Sequence, residues 1–275
     1  MTAVVLALTS AALFGGMTVA LRLALRSLPD ASAAAFATVL VALGVGLAAA
    51  AFHPNLHGAW PFLLAGLLAP GGSQILFTLA VREVGSARTS VMVGAAPLVA
   101  VVIALVVLDE PLRPPLLLGA VAIVSGGILL AAERDRPETM RRIGLWYAAG
   151  AAVLFATRDN LVRALHTHTT PATAVVATLI AGTAVAAVWT RRAPTGRELR
   201  LLAPAGILFG LSYVCLFEAY FRGRVSVVSP LVATESLWGV GLSALLIRQT
   251  EGVGRRLALG ALLVVTGGVL IGVTR

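Results

Sequence analysis

The sequence predicts an all-α integral membrane protein with ten transmembrane helices in two inverted five-helix repeats. Three observations carry that prediction. Of the 275 residues 59 % are hydrophobic and 12 % charged, against about 25 % charged in soluble domains, and mean hydropathy is +0.95. The apolar residues gather into ten runs of about 18–23, the length needed to cross a hydrocarbon core about 30 Å thick. Finally, the second half of the chain repeats the first.

Taken in order, the runs are 3–22, 33–51, 60–81, 87–108 and 115–132, then 143–166, 172–190, 201–221, 226–247 and 256–273. No basic residue precedes the first run, and Arg22 and Arg26 follow it, so it reads as a retained helix rather than a cleaved signal. Trp60 and Trp146 stand at the starts of the third and sixth helices and read as interfacial anchors. Pro70 and Pro97 fall in mid-helix and free the carbonyls of Gly66 and Val93. A packing kink and a substrate-lining break both fit, and the polar Gln74 follows the first proline. The fifth helix carries Gly119, Gly126 and Gly127, and the tenth Gly260, Gly267 and Gly268. Small residues let backbones approach closely, so these read as packing surfaces, within the chain or in a dimer. Short connections make consecutive helices antiparallel neighbours. The charged stretch 133–142 separates residues 1–132 from residues 143–275.

The repeat is visible residue by residue. At an offset of 141, Leu13-Phe14 falls on Leu154-Phe155, and the first glycine triplet falls on the second. Ala65-Gly66 and Phe77 match Ala205-Gly206 and Phe217 at 140, and Ser90 matches Ser229 at 139, which lays Ala96 on Glu235. Five helices per half is an odd number, so the second half enters the membrane from the opposite side. Inverted repeats of this kind recur in secondary transporters, with the site near the midplane between them.

All 21 basic residues are arginine. Fifteen lie in or beside the loops after helices 1, 3, 5, 7 and 9, and five on the other side. The positive-inside rule makes the arginine-rich side cytoplasmic and puts both termini outside, periplasmic if the membrane is a bacterial inner one. The net charge of +9 is thereby explained by topology and anionic headgroups rather than nucleic acid. Cys215 is the single cysteine, so no intrachain disulfide forms, and His and Cys spacing offers no metal site. No phosphate loop, nucleophile triad or cofactor motif is present.

Charge inside the runs is what points to function. Glu235 sits near the middle of 226–247, where a carboxylate costs roughly 2.5–3.5 kcal/mol unless it faces protein or water. It is either a transport residue or half of a static ion pair. Counting at about 1.5 Å per residue puts Glu235 roughly 13.5 Å deep and Arg158 roughly 12 Å deep, a layer in which the two could meet. Asp159, Arg163 and Glu218 form a shallower layer that reads as structural ion pairs, Asp159 and Arg163 being four apart on one helix. Tyr213 and Trp238 are nearby aromatics. Trp238, three residues after Glu235, either stacks on an organic substrate or fills the core.

These motifs resemble the drug/metabolite transporter superfamily, specifically its ten-helix EamA-type members. The resemblance rests on Ala95-Ala96-Pro97-Leu98, Leu108-Asp109-Glu110-Pro111 and the first glycine triplet. In the second half it rests on Ser229-Pro230-Leu231, Thr234-Glu235-Ser236, Glu251 and the second triplet. Members typically have an acid–proline pair where this chain has Glu235-Ser236, and Gly-Glu where it has Asp109-Glu110. The resemblance implies a bacterial inner-membrane exporter of amino acids, metabolites or drug-like solutes. Helix 1 has no acid, so the first-helix carboxylate with which the related small multidrug exporters couple to protons does not carry over, and coupling to a proton or to a counter-solute stays open. It also implies a central cavity formed by helices 1, 3, 4, 6, 8 and 9. On that reading Arg158 and Glu235 bind or gate, with Pro70, Pro97, Gln74, Tyr213 and Trp238 around them. An integral-membrane enzyme, or a helper subunit, acting on a lipid-linked substrate is the alternative; such an enzyme normally needs clustered acids or histidines near one membrane face.

Overall fold

The computed structural model describes residues 2–51, 57–96, 98–99, 114–131, 140–165, 169–223, 228, 231–247 and 254–273. Ten helices run through them. The first repeat contains α1 (Thr2–Leu25), α2 (Ala31–Ala50), α3 (Trp60–Val84), α4 (Ser86–Val93) and α5 (Pro114–Ala131). The second contains α6 (Ile143–Leu165), α7 (Pro171–Thr190), α8 (Gly196–Arg222), α9 (Glu235–Leu246) and α10 (Arg255–Val273). Among the described residues α1, α2, α3, α7 and α8 are long and apolar enough to cross a membrane. Trp60 and Trp146 are 69 % and 76 % exposed, as anchors at helix starts should be.

Local chemistry fixes the ends. The Asp30 carboxylate accepts from the amides of Ser32 and Ala33, at 2.9 and 3.2 Å, and starts α2. Thr195 and Glu198 form a reciprocal capping box at the head of α8. Between α3 and α4 the chain turns on one residue, Gly85, at φ 90°, where a side chain would be strained.

Helix pairing shows the repeat in three dimensions. α1 and α2 of the first half both pack on α8; α6 and α7 of the second half both pack on α3. The pairs α2–α7, α4–α9 and α5–α10 join equivalent helices. The glycines report the same symmetry at atomic scale. A Cβ at Gly66 would strike the carbonyl of Thr178, and one at Gly206, 140 residues on, would meet that of Thr38, 140 residues before Thr178. On α5 and α10, Gly126 lies against the Gly260 carbonyl and Gly267 against that of Gly119. These glycines and Gly268 are buried, while the surroundings of Gly127 lie outside the described residues. The glycine surfaces therefore pair with each other inside one chain.

Three helices are interrupted. In α3 the ladder passes through a π-type segment, Leu67–Gly72, in which Ala69 is extended (φ −142°, ψ 119°) and the Ala69–Pro70 peptide is cis. The fourth and ninth spans break at equivalent places: at Gly94–Ala95 after α4, and at Ala233–Thr234 before α9. Around the second break the bonds are of i→i−3 type, Ser236 N–H to Ala233 at 3.2 Å and Leu237 N–H to Thr234 at 2.9 Å. The apolar run 226–247 is thus not one helix: Glu235 opens the first turn of α9. A carboxylate at a helix N-terminus is favoured by the free amides and the dipole there.

Where α1, α3, α6 and α8 meet, a layer of aromatic rings fills the centre. Phe14 makes edge contacts with Phe77, Phe155 and Phe209 at centroid distances of 5.2, 5.8 and 6.1 Å.

Candidate functional site

One polar cavity sits on this aromatic layer, and both repeats build it. α1 supplies Ser10 and Phe14; the fourth span supplies Val93 and Ala96, on either side of its break. α6 supplies Phe155, Arg158 and Asp159; α8 supplies Ser212, Tyr213 and Leu216; the ninth span supplies Val232 and Glu235. Its volume is about 40 Å³. That is space for a few waters at most, whereas small-molecule sites measure about 300–1,000 Å³. The conformation is closed around its centre.

Arg158 is 3 % and Glu235 6 % exposed. The guanidinium lies over three rings, 4.8 Å from the centroid of Tyr213, 5.6 Å from Phe155 and 5.9 Å from Phe217. Cation–π contacts in a desolvated setting contribute about 2 kcal/mol, which helps to hold a cation here. Its close anionic contact is Asp159, with Nε and Oδ1 2.7 Å apart, and Arg158 Nη1 has no hydrogen-bond partner among the described residues. Ser10 and Ser212 clamp α1 to α8 beside it, each hydroxyl donating to the other's carbonyl at 2.9 and 3.0 Å. The fourth and ninth spans are clamped likewise. Ser236 Oγ donates to the Ser90 carbonyl at 3.0 Å, and the Ser86 and Ser243 hydroxyls lie 2.7 Å apart.

The cavity holds two carboxylates and one guanidinium. In a low-dielectric site the surplus negative charge must be met by a proton or by a bound cation. The unpartnered guanidinium edge is suited to a carboxylate.

The expected site residues divide as follows. Arg158, Glu235 and Tyr213 meet in the cavity. Arg158 and Glu235 are not in ion-pair contact; Asp159 takes that place. Of the three residues expected in structural ion pairs, Asp159 lies against Arg158. Glu218 pairs with Arg222 at 2.6 Å, and Arg163 donates to the Tyr220 carbonyl at 3.1 Å. Trp238 does not line the cavity: it is 47 % exposed, because three residues along a helix is still about 60° around it and α9 offers only one side to the bundle. Pro70 is buried against Gly182 of α7 and shapes how α3 packs, away from the cavity wall. Gln74 is fully buried, and neither amide atom has a hydrogen-bond partner; it too is absent from the cavity lining. Pro97 lies outside the described residues. Ser10, Phe14 and Ser212 were not anticipated, and Asp159 was expected only in a structural ion pair. Asp159 carries a signal in the sequence, since it adjoins Arg158; lone serines in apolar helices do not.

Comparison with known proteins follows this geometry. One solved structure, described only as "Crystal structure of protein", superposes with a TM-score of 0.68 at 21 % identity, covering 98 % of this chain and 95 % of its own. At that identity it shows a shared fold. No curated protein matches the chain in sequence. The model of the EamA-like transporter family matches twice, over residues 1–132 and 142–273. With both matches together spanning nearly the whole chain, this multi-pass, all-helical membrane protein belongs to the EamA-like transporter family, part of the drug/metabolite transporter superfamily.

Proposed function

We propose that this chain exports a small organic solute across a bacterial inner membrane by alternating access between its two repeats. The solute is an amino acid, a related metabolite or a drug-like compound bearing an amine. The observation that carries the reading is the closed cavity at the repeat interface, where Arg158, Asp159 and Glu235 are buried together. Arg158 receives the solute carboxylate; Glu235 and Asp159 receive the amine, or a proton when the site is empty of solute. Such an exchange of amine for proton couples export to the proton gradient.

The closed volume means that solute entry requires helices to separate. The breaks at Gly94–Ala95 and Ala233–Thr234 are the natural points of bending, since i→i−3 bonds, Ala95 N–H to Met92 and Ser236 N–H to Ala233, enter the ladder there and each flanks the cavity. In this reading the arginine-rich loops face the cytoplasm and the termini the periplasm.

The test is uptake of radiolabelled amino acids, metabolites and cationic drugs into proteoliposomes, with and without a pH gradient. A saturable, gradient-dependent flux of at least one compound is expected. Flux that is absent for every class, or indifferent to Arg158→Gln and Glu235→Gln alike, would refute the proposal.

A further inference from the structure

A second cavity, of about 610 Å³, shares no residue with the polar centre. It is lined by Leu67 of α3, by Ala184, Val185, Val188 and Trp189 of α7, and by Arg191 just beyond α7. Its origin is the interruption in α3. Gly66, Gly71 and Gly182 hold α3 and α7 backbone to backbone, with Gly71 facing Val185. Past that contact the last turns of α7 are left uncovered, and Val188 and Trp189 are 76 % and 60 % exposed. From Ala184 to Arg191 the groove runs seven residues, about 10 Å along the helix. Trp189 is held in place by donating from its indole nitrogen to Ser32 Oγ at 3.1 Å.

The polar end of the groove is Arg191. The chain passes through it at φ 58°, its side chain is exposed, and it forms no ion pair among the described residues. Its neighbour Arg192, by contrast, is spent on Asp30 and Glu198, at 3.0 and 2.6 Å. Arg197 and Arg200 add positive charge to the same stretch. An apolar trough about 10 Å long, ending in a tryptophan and a free arginine, has the chemistry of a phospholipid with an acidic headgroup. A second copy of this chain fits less well, because a twofold contact there would set arginine against arginine.

We propose that the groove between α3 and α7 is a binding site for an anionic phospholipid, its acyl chain along Leu67, Val185 and Val188 and its phosphate on Arg191. The free carbonyls at the end of α7 carry partial negative charge, so recognition of the anion falls on the arginine side chain. The site is independent of which solute the protein moves.

The test uses a variant in which Trp60, Trp146 and Trp238 are phenylalanine, leaving Trp189 as the one fluorophore, in vesicles containing brominated lipid. Brominated phosphatidylglycerol should quench Trp189 at about fivefold lower mole fraction than brominated phosphatidylcholine, the ratio expected of one arginine near an acidic headgroup. Arg191→Gln should erase the difference, and excess inorganic phosphate should leave it unchanged. Equal quenching by both lipids would mean ordinary boundary lipid, and a preference that survives Arg191→Gln a diffuse charge effect. A preference abolished by inorganic phosphate would mean a site for a soluble anion. Each of these overturns the proposal. If the tryptophan-depleted variant does not fold, lipid is extracted from the purified protein with all its tryptophans. Phosphatidylglycerol retained per chain should fall on Arg191→Gln, and unchanged retention refutes the site.

Discussion

Arg158 and Asp159 set the energetics at the scale of single residues. Removing one member of a buried pair strands the other charge, at a cost of about 3–5 kcal/mol. Arg158→Gln leaves two carboxylates facing each other across the cavity and should lower the thermal midpoint in detergent sharply. Arg158→Gln combined with Asp159→Asn should recover most of that loss without recovering transport. A double variant as unstable as the single would show that the pair is not the main support of either residue. The sequence put Arg158 and Glu235 in one layer, and both line the cavity, but it split Arg158 from Asp159. Counting along an axis assigns consecutive residues to depths only about 1.5 Å apart, so a layer boundary between them had no physical basis. Which of the two acids meets the guanidinium depends on rotation and tilt, which depth does not encode.

Helices obey the same division. Their number, order and repeat were legible, because apolar run length and the glycine offsets depend only on local sequence. The interruption ahead of α9 was not: Leu231-Val-Ala-Thr-Glu235 contains no glycine or proline, and α9 packs on α1 and α4 just beyond it. The proline break in α3 was visible as a kink, but its role in seating α3 on Gly182 needed the neighbouring helix. Close approach makes a sharp prediction here. Gly206→Ala must displace Val41 and the Thr38 carbonyl, and overpacking of this kind costs about 1–3 kcal/mol. Gly44→Ala, with nothing within 4 Å of the new methyl, should be neutral or slightly stabilising. Thermal unfolding of the two variants side by side checks this; equal midpoints would contradict the α2–α8 packing.

At the scale of the whole molecule, the pseudo-twofold pairing of helices makes orientation a single binary question. From the arginine distribution we propose that 133–142 and 191–200 lie in the cytoplasm. Cysteine introduced at Asp135, with Cys215 replaced by alanine, should resist an impermeant thiol reagent in intact cells and react after lysis. Ready labelling in intact cells would invert the topology and put the Arg191 end of the lipid groove on the outer face.

The central claim is that the polar cavity is where solute binds, and Glu235→Gln tests it most directly. Glu235 has no ion-pair partner among the described residues, so neutralising it strands no opposing charge. A structural role therefore predicts little effect on anything. A binding role predicts a thermal midpoint near that of the parent protein together with solute flux in proteoliposomes reduced tenfold or more, about 1.4 kcal/mol or greater. Parental flux in a well-folded Glu235→Gln protein would contradict the account.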